Sequence, residues 1–234
     1  MFERYDVVKA SDCGHKTSLS IIGTFNKIED SLCLFMESFN LDGLTLMQKY
    51  NATWVYSKNK TKFFKSLQWN EEITIKCFFS NKSLARAVAD IVLFNENNEI
   101  CVYSQIEMCS LDLSTGRIRK LEEFGFNEIS VQNSLIEICF DKIISSENEK
   151  VGTRQVAFTN IDYNNHTNNI EYLRFVLDTY TPLNFRDIKS IQINYLNQSL
   201  LGEDLTIYKE SLTQNDIFKI QSKDKDIAIC ELKF

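Results

Sequence analysis

Proline occurs once in the 234 residues, glycine seven times and histidine twice. With proline only at Pro182 and no Gly- or Ser-rich tract, a flexible low-complexity linker is excluded, and any division into domains must come from pattern. No window reaches the roughly 18 consecutive apolar residues that a membrane-spanning helix needs. The opening Met-Phe-Glu-Arg-Tyr-Asp lacks the basic and apolar segments of a secretory signal, so a cytoplasmic chain is expected. Positive charge is not in excess. The net charge is −6, which argues against general nucleic-acid binding, because that binding rests on Lys and Arg neutralising phosphates. The seven cysteines show no CxxC or CxxH spacing. Most of them, such as Cys77, Cys101, Cys139 and Cys230, fall in apolar runs, as reduced core cysteines do. With His15 and His166 as the two imidazoles and no ligand spacing around them, neither a metal nor another cofactor is expected.

What is present is an ordinary globular composition, 44% hydrophobic and 25% charged, long enough for one large domain or two small ones. Residues 18–39 predict a long helix. Leu19, Ile22, Phe25, Ile28, Leu32, Phe35 and Met36 recur at three- and four-residue steps, and residues 40–43 end the pattern. The period then changes. Residues 52–64, 72–79, 84–94 and 99–113 are rich in β-branched and aromatic side chains. Turns such as Asn95-Glu96-Asn97-Asn98 and Ser114-Thr115-Gly116 separate them, which predicts a meander of antiparallel strands. An irregular joint follows, with a candidate strand at 135–144 and a polar connection at 145–150.

The second half repeats the plan. A strand is predicted at 154–160 and a helix at 168–180, with Ile170, Leu173, Phe175, Val176 and Leu177 on its apolar side. Thr181-Pro182 stops it. Strands follow at 188–197, 204–210, 216–221 and 226–234. Two internal matches support a repeat. Asp12-Cys13-Gly14-His15 precedes the first helix much as the run from Asp162 to His166 precedes the second (162 − 12 = 150), and Glu71-Glu72-Ile73-Thr74-Ile75 resembles Glu203-Asp204-Leu205-Thr206-Ile207 (203 − 71 = 132). The expected division is an N-terminal domain at 1–125, a connecting segment at 126–150 and a C-terminal domain at 151–234.

Asp162, Asn164 and His166 stand within five residues, just ahead of the second predicted helix. Each side chain suits acyl transfer. Asn164, or backbone N–H groups of the helix start, can stabilise the oxyanion formed when a carbonyl is attacked. His166 can take a proton from water and return it to a leaving thiolate. Asp162 can orient the imidazole or the asparagine. On the residues alone a second reading stands beside this one: an Asn-rich turn with a good helix N-cap.

The run Asp162-x-Asn164-x-His166-x-Asn168-Asn169, followed by Ile170-Glu171-Tyr172, resembles the signature of acyl-acyl carrier protein (acyl-ACP) thioesterases, Asp-x-Asn-x-His-x-Asn-Asn-x-x-Tyr. In the first half, Thr53-Trp54-Val55, Arg86 and Ser114-Thr115-Gly116-Arg117 resemble further parts of that family. The resemblance implies an α+β fold of two tandem hot-dog units, each a long helix wrapped by an antiparallel sheet. It implies hydrolysis of fatty acyl-ACP to free fatty acid and carrier protein, in fatty acid biosynthesis, with Asp162, Asn164 and His166 as the functional positions. The chain departs from the family at one point. A glutamate, often followed by cysteine, is usual on a later strand, and alignment on Tyr195 places Gln198 and Ser199 there. Gln198 can hold a water but cannot act as a general base, and Ser199 is a second water-positioning candidate. A shifted alignment would bring in Glu203, whose repeat partner Glu71 reads as a turn residue.

Other residues have plainer readings with a functional one attached. His15 reads as a capping or surface group. Ile22, Phe25, Ile28, Leu32 and Met36 are core positions that, in a hot-dog pair, are also acyl-pocket candidates. Lys58, Lys60, Lys62 and Lys65 read as a solvated strand face or as an attraction for an acidic carrier protein. The substrate partner is thus an acyl carrier protein thioester or, sharing the same pantetheine arm, an acyl-CoA. An acyl-binding protein of low turnover is the alternative that Gln198 supports. No nucleic acid and no membrane span are expected, and the chain is expected to be a monomer or homodimer.

Overall fold

Ser20 starts the first helix: its backbone is extended and its hydroxyl accepts the Gly23 N–H at 2.9 Å, which satisfies one of the donors left unpaired in a first turn. The helix, α1, runs Ile21–Glu37 in the computed structural model, which describes residues 1–144, 149–181, 183, 185–223 and 225–234. Gly23 is required where it stands, because a Cβ there would lie 2.2 Å from the Asp12 carbonyl oxygen. The helix therefore begins hard against the turn that precedes it. Its buried face carries Ile28, Leu32, Phe35 and Met36, which share one core with Ile73, Ile75, Cys77, Phe79, Ala89, Ile91 and Leu93. The chain divides into two compact units, Met1–Ile138 and Cys139–Phe234. The division falls inside the connecting segment expected at 126–150.

The first unit contains β1 (Phe2–Val7), α1, α2 (Gly43–Tyr50), β2 (Ala52–Phe63), β3 (Glu72–Lys82), β4 (Arg86–Phe94), β5 (Ile100–Asp112) and the two-residue β6 (Ile118–Arg119). The strands are antiparallel in the order β1-β3-β4-β5-β2, with β6 on β5. Two elements lack a clear period in the sequence. β1 is only half-buried. α2 buries Leu46 alone and is held by its ends: Asp42 Oδ1 accepts the Leu44 and Thr45 N–H groups at 3.0 Å, and Asn51 closes it at φ +51°.

The strand expected at 135–144 does not form. Side chains, not a neighbouring strand, take up backbone groups of this stretch. The Leu135 N–H donates to Tyr103 Oη at 2.9 Å. Further along, the Gln192 amide exchanges two 2.8 Å hydrogen bonds with the backbone of Asp141. Cys139 is consequently exposed, not a core cysteine, whereas Cys77, Cys101 and Cys230 are buried, and none of the seven is in a disulfide. Burial pushes the Cys77 thiol up to about 12, which keeps it protonated and inert.

The second unit contains β7 (Glu149–Gln155), α3 (Asn169–Leu177), β8 (Ser190–Tyr195), β9 (Asp204–Ser211), β10 (Asn215–Ser222) and β11 (Lys225–Lys233). Its sheet is antiparallel in the order β8-β11-β10-β9-β7. The strand expected at 154–160 begins earlier and gives way to a 3-10 turn, Phe158–Asn160. α3 ends at Leu177, short of the expected 180. The Thr179 hydroxyl donates to the Val176 carbonyl at 2.7 Å, taking an acceptor that a further helical turn would use. Pro182, and residues 145–148 of the polar connection, lie outside the described residues.

The units repeat one another hydrogen bond by hydrogen bond. In each, a 3-10 turn (Ala10–Asp12; Phe158–Asn160) leads into a loop closed by an isolated antiparallel bridge, Cys13 to Leu19 and Ile161 to Thr167. The helix N-cap then donates its N–H back to that turn, Ser20 to the Asp12 carbonyl at 3.0 Å and Asn168 to the Asn160 carbonyl at 2.8 Å. The offset is 148 residues (160 − 12 = 148), so Asp12 corresponds to Asn160 and not, as the sequence match suggests, to Asp162. The later match keeps its offset: Val8 donates to the Glu71 carbonyl at 3.0 Å, and Val156 to that of Glu203 at 2.9 Å.

Asp216 on β10 is 1% exposed and holds the far end of α3 to the sheet. It accepts from Tyr180 and pairs with Lys209 at 2.9 Å and Arg186 at 3.1 Å. Burial pushes its carboxyl up, but the hydrogen bonds from Tyr180 and Lys209 and the Lys209 charge outweigh this and hold it below the usual 3.8. A depressed folded pKa stabilises above the unfolded pKa, and the contribution is lost as pH falls through the folded value. Asp216→Ala is expected to lose about 3 kcal/mol at neutral pH and to flatten the acid limb of stability. Urea midpoints at pH 7 and in acid measure both effects.

Candidate active site

The loop between Ile161 and Thr167 is folded around Asp162. The Asp162 N–H donates to the His166 carbonyl at 2.8 Å, and the Asn165 N–H to the Asp162 carbonyl at 3.1 Å. The carboxylate Oδ1 accepts the N–H groups of Asn164 at 2.8 Å and His166 at 3.3 Å. Asn165 takes φ +61°, a left-handed conformation that asparagine tolerates. Asp162 thus reaches Asn164 and His166 through their backbones. Exposure alternates along the loop: Asp162, Asn164 and His166 are half-buried, while Tyr163 and Asn165 are exposed.

Helix capping is the work of a different residue. Asn168 Oδ1 accepts the Ile170 N–H at 2.8 Å, and Asn160 Nδ2 donates to Glu171 at 2.7 Å. Neither bond uses the Asn164 amide or the His166 imidazole. The two readings of the Asn-rich run therefore divide by residue, with capping at Asn168 and loop closure at Asp162.

Beyond the end of β8, the Ser199 carbonyl accepts the Thr167 N–H at 3.0 Å. This bond brings the segment carrying Gln198 alongside the loop carrying His166. Ser199 and Thr167 turn their side chains toward each other, with Oγ and Oγ1 at 2.7 Å. Gln198 is exposed. Ser199 is fully buried, and its hydroxyl is shared with Thr167 and Tyr172 at 2.7 and 2.9 Å, so it is not the water-positioning residue expected from the alignment. The pairing of Thr167 with Ser199, 32 residues later, left no trace in the sequence pattern. Tyr172 carried a signal as the last residue of the motif, but not its partner. Glu203 lies in a turn, its N–H donating to the Leu200 carbonyl at 3.1 Å, as the Glu71 N–H does to that of Gln68.

The remaining candidates are in the first unit. Phe25, Ile28, Leu32 and Met36 are buried and Ile22 half-buried on α1. Lys60 is buried, Lys58 lies 3.6 Å from Glu107, Lys65 pairs with Glu99 at 2.5 Å, and Lys62 is half-buried. The basic run is therefore not a freely solvated strand face. His15 is exposed in the loop equivalent to 161–167. At the 148-residue offset, Gly14, Lys16 and Ser18 occupy the positions of Asp162, Asn164 and His166. Among the described residues, no group of three His, Cys, Asp or Glu side chains is arranged to hold a metal ion, and no helix is long and apolar enough to cross a membrane.

Each unit, a helix laid on an antiparallel sheet, has the hot-dog architecture, and the chain is an α+β protein of two such units. Residues 144–230, most of the second unit, match the family model of the acyl-ACP thioesterase C-terminal domain. In fold the chain is similar to an acyl-ACP thioesterase from Bacteroides thetaiotaomicron. The TM-score is 0.91 at 15% identity, over 100% of this chain and 97% of that one. It is also similar to a 12:0-ACP thioesterase from Umbellularia californica, with a TM-score of 0.84 at 15% identity, over 99% of this chain and 96% of that one. None of the curated proteins matches the chain in sequence.

Proposed function

We propose that the protein hydrolyses fatty acyl-ACP to free fatty acid and carrier protein, in the cytoplasm, as a step that ends fatty acyl synthesis. The reading is carried by one observation: a loop built on Asp162 presents Asn164 and His166 in the unit that matches the acyl-ACP thioesterase C-terminal domain. His166 takes a proton from water as the water oxygen attacks the thioester carbon. The oxyanion accepts a hydrogen bond from the Asn164 amide, a donor of a kind worth about 10²–10³ in rate. Collapse of the tetrahedral intermediate breaks the C–S bond, and the imidazolium returns its proton to the thiolate. Asp162 keeps the loop closed, and Gln198 holds the attacking water by hydrogen bonds without taking its proton.

The test is free-thiol release from a panel of ACP and CoA thioesters of different chain lengths. Release from the ACP thioesters with a higher kcat/KM than from CoA supports the proposal; the reverse order makes the protein an acyl-CoA thioesterase. No release at any chain length, with acyl ligand nonetheless bound, makes it an acyl-binding protein, the alternative that Gln198 in place of a carboxylate favours. Gln198→Ala is expected to lower kcat about ten-fold with KM little changed, as loss of one positioned water contact should. An unaltered kcat removes Gln198 from the mechanism.

A further inference from the structure

We propose that Ser199, Thr167 and Tyr172 form a hydroxyl clamp that sets His166 and Gln198 in place, so that Ser199 is a positioning residue of this site and not a nucleophile. The inference rests on the proposed roles of His166 and Gln198. One arrangement of protons satisfies every donor. Ser199 N–H donates to Tyr172 Oη at 3.0 Å. Tyr172 O–H donates to Ser199 Oγ at 2.9 Å, Ser199 O–H to Thr167 Oγ1 at 2.7 Å, and Thr167 O–H to the Ser199 carbonyl at 3.1 Å. The Thr167 N–H adds a second contact to that carbonyl at 3.0 Å. Burial raises the Tyr172 phenol, outweighing the opposite pull of its bonds to Ser199, so the donor stays protonated. The clamp ties three pieces of chain together: the end of the His166 loop, the first turns of α3, and the segment after β8 that carries Gln198.

The first unit shows that the fold does not need these hydroxyls. Its equivalent junction forms through the same backbone bond, Leu19 N–H to the Leu67 carbonyl at 2.8 Å, with Leu19 for Thr167 and Leu67 for Ser199. Leu67 is buried there and Leu19 packs on the core. Thr24, at the position of Tyr172, turns its hydroxyl to the Ser20 carbonyl of its own helix at 2.8 Å. Two leucines close this joint where Gly14, Lys16 and Ser18 replace the catalytic set, and three buried hydroxyls close it where Asp162, Asn164 and His166 are present. Burying hydroxyls is costly unless each is hydrogen-bonded, so their presence calls for a gain that apolar packing does not offer. Hydrogen bonds are directional, whereas apolar contact is not. A directional joint fixes the backbone at Gln198 against that at His166, and catalysis is sensitive to errors of an ångström at such distances.

The test compares Ser199→Ala, Tyr172→Phe and the milder Thr167→Val with the parent protein. The readouts are kcat and KM on the best thioester of the panel, and the titration of the His166 imidazole followed by NMR in the substrate-free protein. The expected result is kcat about ten-fold lower with KM within two-fold, displaced His166 resonances, and recovery of most of the activity in Ser199→Cys, which keeps a small donor. Variants that melt earlier yet keep the parental kcat and His166 titration overturn the proposal, because the clamp is then only structural. Loss of all covalent turnover at Ser199→Ala with acyl-enzyme trapped in the parent also overturns it, because Ser199 is then a nucleophile. If the parent hydrolyses no thioester, the functional reading fails, and the His166 titration alone decides the clamp: displaced supports it, unchanged overturns it.

Discussion

His166→Ala is expected to lower kcat by about 10²–10⁴, the range that a positioned acid–base group contributes, while KM for the acyl thioester should change little. Asp162 holds the loop through the backbone N–H of residue 166 and not through the imidazole, and alanine keeps that N–H. The loop is therefore expected to persist, and the loss to fall on the chemical step. The imidazole and the Asp162 carboxylate are the titratable groups of the loop, whereas Gln198 has no basic site; the imidazole is the group proposed to take a proton from water and return it to the thiolate. The measurement is single-turnover thiol release beside a thermal melt. A parental rate in a folded variant would remove His166 from the mechanism and leave Asp162 as the titratable candidate.

Asp162→Ala is expected to cost about 10² in kcat/KM, the scale set by misplacing reactive groups by an ångström. The two bonds it deletes, to the N–H groups of Asn164 and His166, tighten the loop that the Ile161–Thr167 bridge and the Asp162 backbone bonds close. Asp162→Asn keeps a carbonyl oxygen at the acceptor position. If Asp162 is a scaffold, asparagine preserves most of the activity and alanine does not. If the negative charge itself assists the imidazole, the two substitutions are equally damaging. Hydrogen exchange of the 164 and 166 amides separates the cases, because only alanine should expose them.

Most strands, β1, β6 and the start of β7 excepted, were legible as alternating or continuous β-branched and aromatic runs between Asn- and Gly-bearing turns, and their order along the chain followed from those boundaries. α1 was legible because a stripe of seven apolar residues outlasts any strand. α2 was not, since its short span buries only Leu46 and its stability lies in the Asp42 and Asn51 caps. Residues 135–144 failed in the opposite sense. Their apolar pattern suits a strand, but the side chains of Tyr103 and Gln192 supply hydrogen bonds that a strand would have sought from a neighbour.

The motif from Asp162 to Asn169 was visible as a cluster of residue types, and the sequence alone determined its place: ahead of a helix, in the second of two repeats, in an Asn-rich run suited to cap it. The division of labour within it came only from the tertiary structure. Whether a carboxylate orients an imidazole or a backbone depends on a loop closing over five residues, and that Asp162 corresponds to Gly14 and not to Asp12 appeared only when the repeats were matched by hydrogen bonds. Ser199 is the sharpest case. By alignment it was one of two residues beside the reacting water. By position it is a buried hydroxyl bound to Thr167 and Tyr172, 32 and 27 residues earlier. Local patterns record periodicity and turns, whereas partners at that separation are chosen by how the helix and the sheet come together.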